Sequence, residues 1–303
     1  MRKLLLACSL LLAVACSGSN PVDPTSPSAA SERPKDAAGI AASLVDGRIQ
    51  VLVHVDRVRP HPVGPKLLSL GPLPELLEGS SFDPLRDVTR AVVVANNARQ
   101  ERAVVFAEHT VDPAKIPTIV EELVQKSEPR GQVMGAAPDY QVKVSKKGRE
   151  GVICFIGPRF VAVVPPDLAA RCPAFDETGG LPGPRGEEAA DVAVREPADS
   201  LRAANVPRIP PSVTGLTAQV FLAEGGGATI DALGQSSEAT AAADAAELTR
   251  NVDAATSLNL GIFKVRAFGP VVFQPEGDKV KSRLALSPAE IEQLLSLANT
   301  FLD

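Results

Sequence analysis

The 303-residue chain is poor in aromatic and in basic side chains. It has no tryptophan, one tyrosine and 4% aromatic residues in all. Flat stacking surfaces of the kind that bind carbohydrate or single-stranded nucleic acid are therefore not expected. The chain has 31 lysine and arginine residues against 36 aspartate and glutamate residues. Its sequence contains no cluster of basic residues of the kind that replaces the counterions of nucleic-acid phosphates. We therefore do not expect nucleic acid as a partner.

The sequence also lacks the motifs of common catalytic sites. No GxSxG nucleophile motif occurs, and the glycines at 225–227 are followed by no GK[ST], so they favour a hairpin turn over a phosphate loop. No CxxC spacing is present to favour redox chemistry. We therefore identify no catalytic residue and expect no cofactor.

Three histidines remain as general-base candidates near neutral pH, namely His54, His61 and His109. A metal site could join His54, Asp56 and His61, but His61 lies between two prolines and shares no strand or helix period with the other two. Zinc normally needs three or four well-oriented ligands. We expect no metal and histidines satisfied by hydrogen bonds; the alternative is an exported, hydrolase-like enzyme that uses one of these histidines with a carboxylate.

Two carboxylates in the segment FDPLRD could be imagined as an acid–base pair. They are Asp83 and Asp87. Asp83 before Pro84 is, however, typical of a helix cap, and Asp87 is well placed to pair with Arg86 or Arg90. We expect a structural role for both.

The N-terminus carries an export pattern that ends at Cys16. Arg2 and Lys3 precede an apolar run over residues 4–15, which is too short to span a bilayer. Residues 12–16 (LAVAC) resemble the lipobox of bacterial lipoprotein precursors; Cys8 fits that pattern loosely, and an ordinary secretory peptide is the alternative. The resemblance implies removal of residues 1–15 as a signal peptide and acylation of Cys16, which would anchor the protein to a membrane. Ser17 after the cysteine favours the outer membrane.

Behind the anchor, residues 16–38 are rich in Ser, Pro and Ala and have no apolar periodicity. They predict a disordered tether. Residues 82–94 (FDPLRDVTRAVVV) resemble envelope lipoproteins of high-GC bacteria such as myxobacteria, a resemblance that implies no activity.

Two cysteines remain after the signal peptide and the lipidated residue are set aside. Cys154 lies in a strand-like run, and Cys172 in a short helical segment that we expect to end before Pro173. In an oxidising exported compartment such a pair is most simply a disulfide. Buried free thiols and a redox pair are the alternatives.

The rest of the chain predicts an α+β fold in two similar antiparallel units, each ordered hairpin, helix, hairpin, helix with its helices on one face. The first unit spans residues 39–175, with a hairpin at 91–107 and a helix around 116–124. The second spans 212–303, with a hairpin at 216–233 and helices at 236–255 and 288–302. Residues 176–211, rich in Gly, Pro and acids, predict a linker or long loop between them.

These observations favour a non-enzymatic envelope lipoprotein that acts as a binding or scaffold module. Its partners would be the membrane, through the lipid anchor, and an unidentified protein or small ligand. A purely structural spacer is a third option, beside the exported enzyme.

Overall fold

The computed structural model describes residues 36–68, 72–98, 102–202, 208–260, 263–266 and 269–300. The predicted signal peptide, the lipidation site Cys16 and nearly all of the tether lie outside these ranges, so those predictions stay predictions. Within the described residues, no helix has the length and apolar character needed to cross a bilayer.

The described residues contain fourteen strands, and the helices lie between them. The strands are β1 (Ile49–His54), β2 (Val88–Ala95), β3 (Ala103–His109), β4 (Gln132–Val133), β5 (Gln141–Lys146), β6 (Arg149–Ile156), β7 (Phe160–Val164), β8 (Ala190–Arg195), β9 (Gly215–Leu222), β10 (Ala228–Gln235), β11 (Ser257–Leu260), β12 (Phe263–Arg266), β13 (Gln274–Glu276) and β14 (Lys279–Leu286). The helices are α1 (Ala37–Val45), α2 (Val55–Val58), α3 (Gly64–Leu68), α4 (Pro72–Leu77), α5 (Pro84–Asp87), α6 (Ile116–Lys126), α7 (Pro197–Ser200), α8 (Ala241–Thr256) and α9 (Pro288–Thr300). Two 3-10 segments cover Pro113–Lys115 and Pro166–Phe175.

Twelve of the described strands form one antiparallel sheet, which supports the predicted α+β class. Its order is β13-β14-β10-β9-β8-β1-β2-β3-β7-β6-β5-β4, and β11 pairs with β12 alone. The two expected sheet units, whether separate or joined into one body, are not supported, because β1 and β8 pair along their length in one sheet, with Ile49 opposite Val194. The same order of elements occurs on each side of this pair. Strands β1, β2 and β3 are followed by helix α6, and β7 then pairs with β3. Strands β8, β9 and β10 are followed by helix α8, and β14 then pairs with β10.

Strand β8 comes from residues 176–211, where the sequence predicted a linker or loop. It pairs with β1 on one side and β9 on the other, so it lies near the middle of the sheet. Its residues ADVAVR place Val192 and Val194 on one face of a strand and Asp191 and Arg195 on the other. They are few, however, and lie among Gly, Pro and acidic residues that are typical of loops. Its pairing with β1 and β9, and not its local sequence, makes this segment a strand.

One face of the sheet, here called the first face, is mainly apolar over its whole width, with His109 and Ser282 among its buried polar residues. Helix α6 buries Ile116, Ile119 and Leu123 against it, as the helical spacing predicted. Helices α8 and α9 cover the other half of the same face, where Leu248 and Ile291 are buried. The turn between β9 and β10 is the predicted hairpin, with Gly226 at φ +84°.

The opposite, second face is covered only around β2, β3, β6 and β7, as far as the described residues show. Helix α1 and the 3-10 segment Pro166–Phe175 pack there. Phe106 of β3 stacks on Phe175, with ring centroids 5.0 Å apart. Helix α1 begins at Ala37, inside the predicted tether, because Asp36 caps it by accepting a hydrogen bond from the Gly39 N–H.

The predicted disulfide is present and fastens the 3-10 segment to the sheet. Cys154 of β6 is bonded to Cys172, with the two Cα atoms 6.3 Å apart. The segment continues past Pro173 to Phe175, beyond the predicted end. Proline withdraws only its own N–H donor, and the short 3-10 turns resume after it.

Candidate functional site

A row of polar side chains crosses the second face over seven adjacent strands; we call it the polar row. The register places His54 opposite Arg90, Arg90 opposite Glu108, and Gln219 opposite both Asp191 and Asp231. Its members, in sheet order, are Glu108, Arg90, His54, Asp191, Gln219, Asp231 and Arg283. The row runs from the covered part of the second face to the part that no described element covers.

The loop before β8 is fixed to one end of the polar row. The Leu181 N–H donates to Glu108 Oε1 at 2.7 Å, and Arg90 Nη1 donates to the Leu181 carbonyl at 2.8 Å. Gly180 has φ +92°, and a Cβ at that position would lie 2.5 Å from Glu108 Oε1. Glycine is therefore required for this approach, and the loop then runs on to place Glu188 beside the centre of the sheet.

A cavity of about 430 Å³ opens on the second face between α1, the loop around Arg185 and strands β1, β8 and β9. Its charged lining residues are Asp36, Arg185 and Asp191. Gln50, Thr217 and Gln219 supply neutral polar groups, and Leu52 and Val92 supply apolar area. This mixture of a few convergent polar groups with apolar surface is typical of small-molecule sites.

Three ligand-type side chains meet at the end of β1 beside this cavity: His54, Glu188 and Asp191, here called the trio. Their ligand atoms all lie within 4.8 Å of one another. His54 is 1% exposed, its Nε2 lies 3.6 Å from Asp191 Oδ2, and neither ring nitrogen has a hydrogen-bond partner. The trio offers one nitrogen and two carboxylates, a set that could hold a metal ion.

Each carboxylate of the trio is held by neighbouring groups. Glu188 accepts hydrogen bonds from the Arg185 N–H and, at 2.8 Å, from the Gly186 N–H. Burial by itself would raise the pKa of Glu188, but the backbone N–H groups of Glu188, Arg185 and Gly186 outweigh it and leave that pKa lowered. Gln219 Nε2 donates to Asp191 Oδ1 at 3.1 Å. Both carboxylates are thereby oriented.

The structure does not bring together the set that the sequence suggested for a metal, His54 with Asp56 and His61. Asp56 is exposed, and its side chain accepts a hydrogen bond from the Arg57 N–H. His61 lies elsewhere, with its Nε2 3.1 Å from the Gly227 carbonyl oxygen. His109 lies elsewhere, edge-on to Phe82, with the ring centroids 5.7 Å apart. Burial there lowers the pKa of His109.

The carboxylates of FDPLRD have structural partners. Asp83 Oδ1 accepts the Leu85 N–H at 2.9 Å, and Asp87 pairs with Arg86 at 2.7 Å. Burial opposes ionisation of Asp87, but the bond from Arg86 and the backbone N–H of Asp83 lower its pKa overall. Their geometry is that of the predicted helix cap and ion pair.

Sequence reasoning missed Glu188 and Asp191 because both lie in the predicted linker. The one available signal was the alternation in ADVAVR, which places Asp191 on the same face of a strand as Ala193. The chain matches no protein-family model, no curated protein and no solved structure.

Proposed function

We propose that this chain is a lipid-anchored envelope protein, held at the outer membrane, whose folded part binds a small polar ligand in the cavity on the second face without transforming it. The observation that carries the proposal is the cavity itself, which combines convergent polar groups with apolar area at the uncovered part of the sheet.

The lining chemistry favours a ligand rich in hydroxyl or amino groups. Asp36 and Asp191 contribute carboxylate acceptors, and Gln50 and Gln219 can both donate and accept. Leu52 offers apolar area for a carbon skeleton. A ligand with several donors around a compact carbon frame would use these groups together.

The position of the cavity suits a tethered protein. Asp36, Ala38 and Gly39 line it, and they are among the first described residues, at the end of the predicted tether. If Cys16 carries the lipid, the tether joins the domain beside the ligand site. A flexible tether of about 20 residues has a root-mean-square end-to-end distance of roughly 25 Å, which would keep that site close to the membrane surface.

The exported-enzyme alternative is favoured by one observation, the approach of His54 Nε2 to Asp191 at 3.6 Å. A histidine and a carboxylate so placed could serve as a general base and its orienting partner. His61 and His109 lie in other surroundings, so this alternative depends on His54 alone. We rank it below ligand binding.

Thermal-shift screening of the full-length protein against sugars, polyols, amino acids and polyamines tests the binding proposal. We expect at least one class to raise the melting temperature in a saturable way. Thr217→Trp, which would fill the cavity from β9, should abolish the shift, while Thr229→Trp on neighbouring β10 should leave it unchanged. A screen without a hit, or equal shifts in both variants, would refute the cavity as the site.

The anchor is tested separately by expressing the full chain in a Gram-negative host and separating its membranes. We expect the protein in the outer-membrane fraction with the mass of an acylated Cys16 product. Cys16→Ala should leave an unprocessed precursor or release the protein. Unchanged mass and attachment in that variant would overturn the anchor.

A further inference from the structure

We propose that His54, Glu188 and Asp191 form a binding site for one divalent transition-metal ion of the zinc class. This proposal does not depend on the ligand of the cavity, because it concerns the three side chains alone.

His54 gives the first reason. Its ring is 1% exposed, and both ring nitrogens lack a hydrogen-bond partner. Leaving a buried polar group unpaired is unfavourable, so a buried imidazole without partners needs an explanation. Its Nε2 faces Asp191 Oδ2 at 3.6 Å, which is too long for a hydrogen bond. A bound ion between these atoms would satisfy Nε2.

The distances give the second reason. Two ligand atoms that each lie about 2.0–2.1 Å from a tetrahedral zinc ion are separated by roughly 3.3 Å. The 3.6 Å between His54 Nε2 and Asp191 Oδ2 is close to that separation, and all three ligand atoms fall within 4.8 Å. Small side-chain rotations would bring the third atom, from Glu188, into the same shell.

Charge gives the third reason. Two carboxylates meet at the trio, and the arginine among the described residues that pairs with Glu188 is Arg57, whose Nη1 lies 4.0 Å from Oε2. That nitrogen donates its hydrogen bond to the Glu188 main-chain carbonyl at 2.7 Å instead. The carboxylate charge is therefore incompletely neutralised, and a divalent ion would neutralise it.

The groups around the trio provide the orienting contacts that metal ligands usually have. The backbone N–H groups of Arg185 and Gly186 hold Glu188, and the side chain of Gln219 holds Asp191. Asp191 also lines the cavity, so a coordination position not filled by protein would face that space. One imidazole and two carboxylates, with no thiolate, suit zinc, manganese or iron in the divalent state better than copper(I).

Isothermal titration of the full-length, EDTA-treated protein with zinc chloride tests the site. We expect one saturable site per chain with a dissociation constant below about 100 μM. His54→Ala, Glu188→Gln and Asp191→Asn should each weaken binding by at least about tenfold. Asp56→Asn and Glu187→Gln, which change exposed carboxylates one or two residues from the trio in sequence, are matched controls and should bind as the wild type does. X-ray absorption at the zinc edge should show nitrogen and oxygen ligands with one imidazole.

Each other outcome would overturn the site. The proposal is wrong if no saturable binding occurs, if the controls lose as much affinity as the trio variants, or if the absorption spectrum shows sulfur ligands. Because His54→Ala could disturb folding, Asp191→Asn is decisive: its side chain is 20% exposed, and the hydrogen bond from Gln219 can remain. Retained affinity in a folded Asp191→Asn protein would exclude the trio.

Discussion

The second face of the sheet differs on the two sides of the β1–β8 pair. Around β2, β3, β6 and β7 it is packed beneath α1 and the disulfide-bonded 3-10 segment, and Phe106 is fully buried. Around β9, β10 and β14 no described element covers it, and alternate residues such as Thr217 and Arg283 are exposed. We call these the covered half and the open half.

The second face of the covered half contributes to stability, whereas that of the open half is available for binding. The covered half buries apolar area on both faces, so its second face contributes to the free energy of folding. The open half obtains its core from the first face alone, where α8 and α9 pack, and its second face is free to carry polar side chains. The cavity and the trio lie at the boundary, where rigid support and solvent access meet.

The largest expected effect compares one phenylalanine from each half. Phe106→Ala removes a ring packed between Phe160 and Phe175 and should lower the free energy of unfolding by about 3–5 kcal/mol. Phe221→Ala, on the second face of the open half, should cost less than about 1.5 kcal/mol because Phe221 is only partly buried. Urea unfolding measures both. Equal losses would show that the open half is covered in solution.

The next largest effect is expected from removing the disulfide that holds the 3-10 segment on the covered half. Replacing Cys154 and Cys172 together by alanine should lower the free energy of unfolding by about 3 kcal/mol, since the bond closes a loop with a sequence separation of 18. The wild-type protein with reductant added is the control and should approach the variant. Alkylation of both cysteines in the folded, unreduced protein would contradict the bond.

A smaller effect tests the helix that covers the first face of the open half. Ser287 and Glu290 form a reciprocal cap at the start of α9: the Ser287 N–H donates to Glu290 Oε2 at 2.8 Å, and the Glu290 N–H donates to Ser287 Oγ at 3.3 Å. Ser287→Ala should cost about 1 kcal/mol. The Ser287 hydroxyl, at 2.6 Å, and the Ser287 N–H both donate to the Glu290 carboxylate and lower its pKa, so this stabilisation is lost as pH falls through that pKa.

The matched control for the cap is Ser43→Ala in α1, on the covered half. The Ser43 hydroxyl donates only within its own helix, to the Ile40 carbonyl. We expect its loss to change the free energy of unfolding by less than about 0.5 kcal/mol, as for most surface substitutions. If Ser43→Ala lowers the free energy of unfolding as much as Ser287→Ala does, the loss in Ser287→Ala does not come from the cap.

The smallest expected effect is a pH dependence from His109 in the core of the first face. Burial lowers its pKa below the ordinary 6.5, so the unfolded chain binds more protons and stability falls as pH drops from about 6.5 towards the folded pKa. His109→Phe should flatten this slope, measured by urea unfolding between about pH 7 and pH 5. An unchanged slope in that variant would assign the dependence to other groups.

Much of the local structure could be predicted from the sequence. Helix α6 follows the spacing of Ile116, Ile119 and Leu123, and the β9–β10 hairpin follows its glycines. Both depend on patterns within about a dozen residues, for which periodicity and turn chemistry are reliable. The Cys154–Cys172 bond was also predictable, because counting left one pair.

The single sheet and the candidate site could not be predicted in the same way. Strand β8 is short and lies among residues typical of loops, so only its pairing with β1 and β9 identifies it. Glu188 is separated from His54 by more than a hundred residues, and it reaches the trio because the loop is fixed to Arg90 and Glu108. No local pattern encodes such contacts.

The sequence by itself determined the mixed helix and strand content, the disulfide, the cap at Asp83 and the lack of a catalytic motif. These follow from composition and from neighbours along the chain. The tertiary structure alone decided that two predicted units share one sheet, that one half of the second face stays open, and that His54 meets Glu188 and Asp191. Those outcomes depend on which strand edges pair, and pairing is settled by the packing of distant residues.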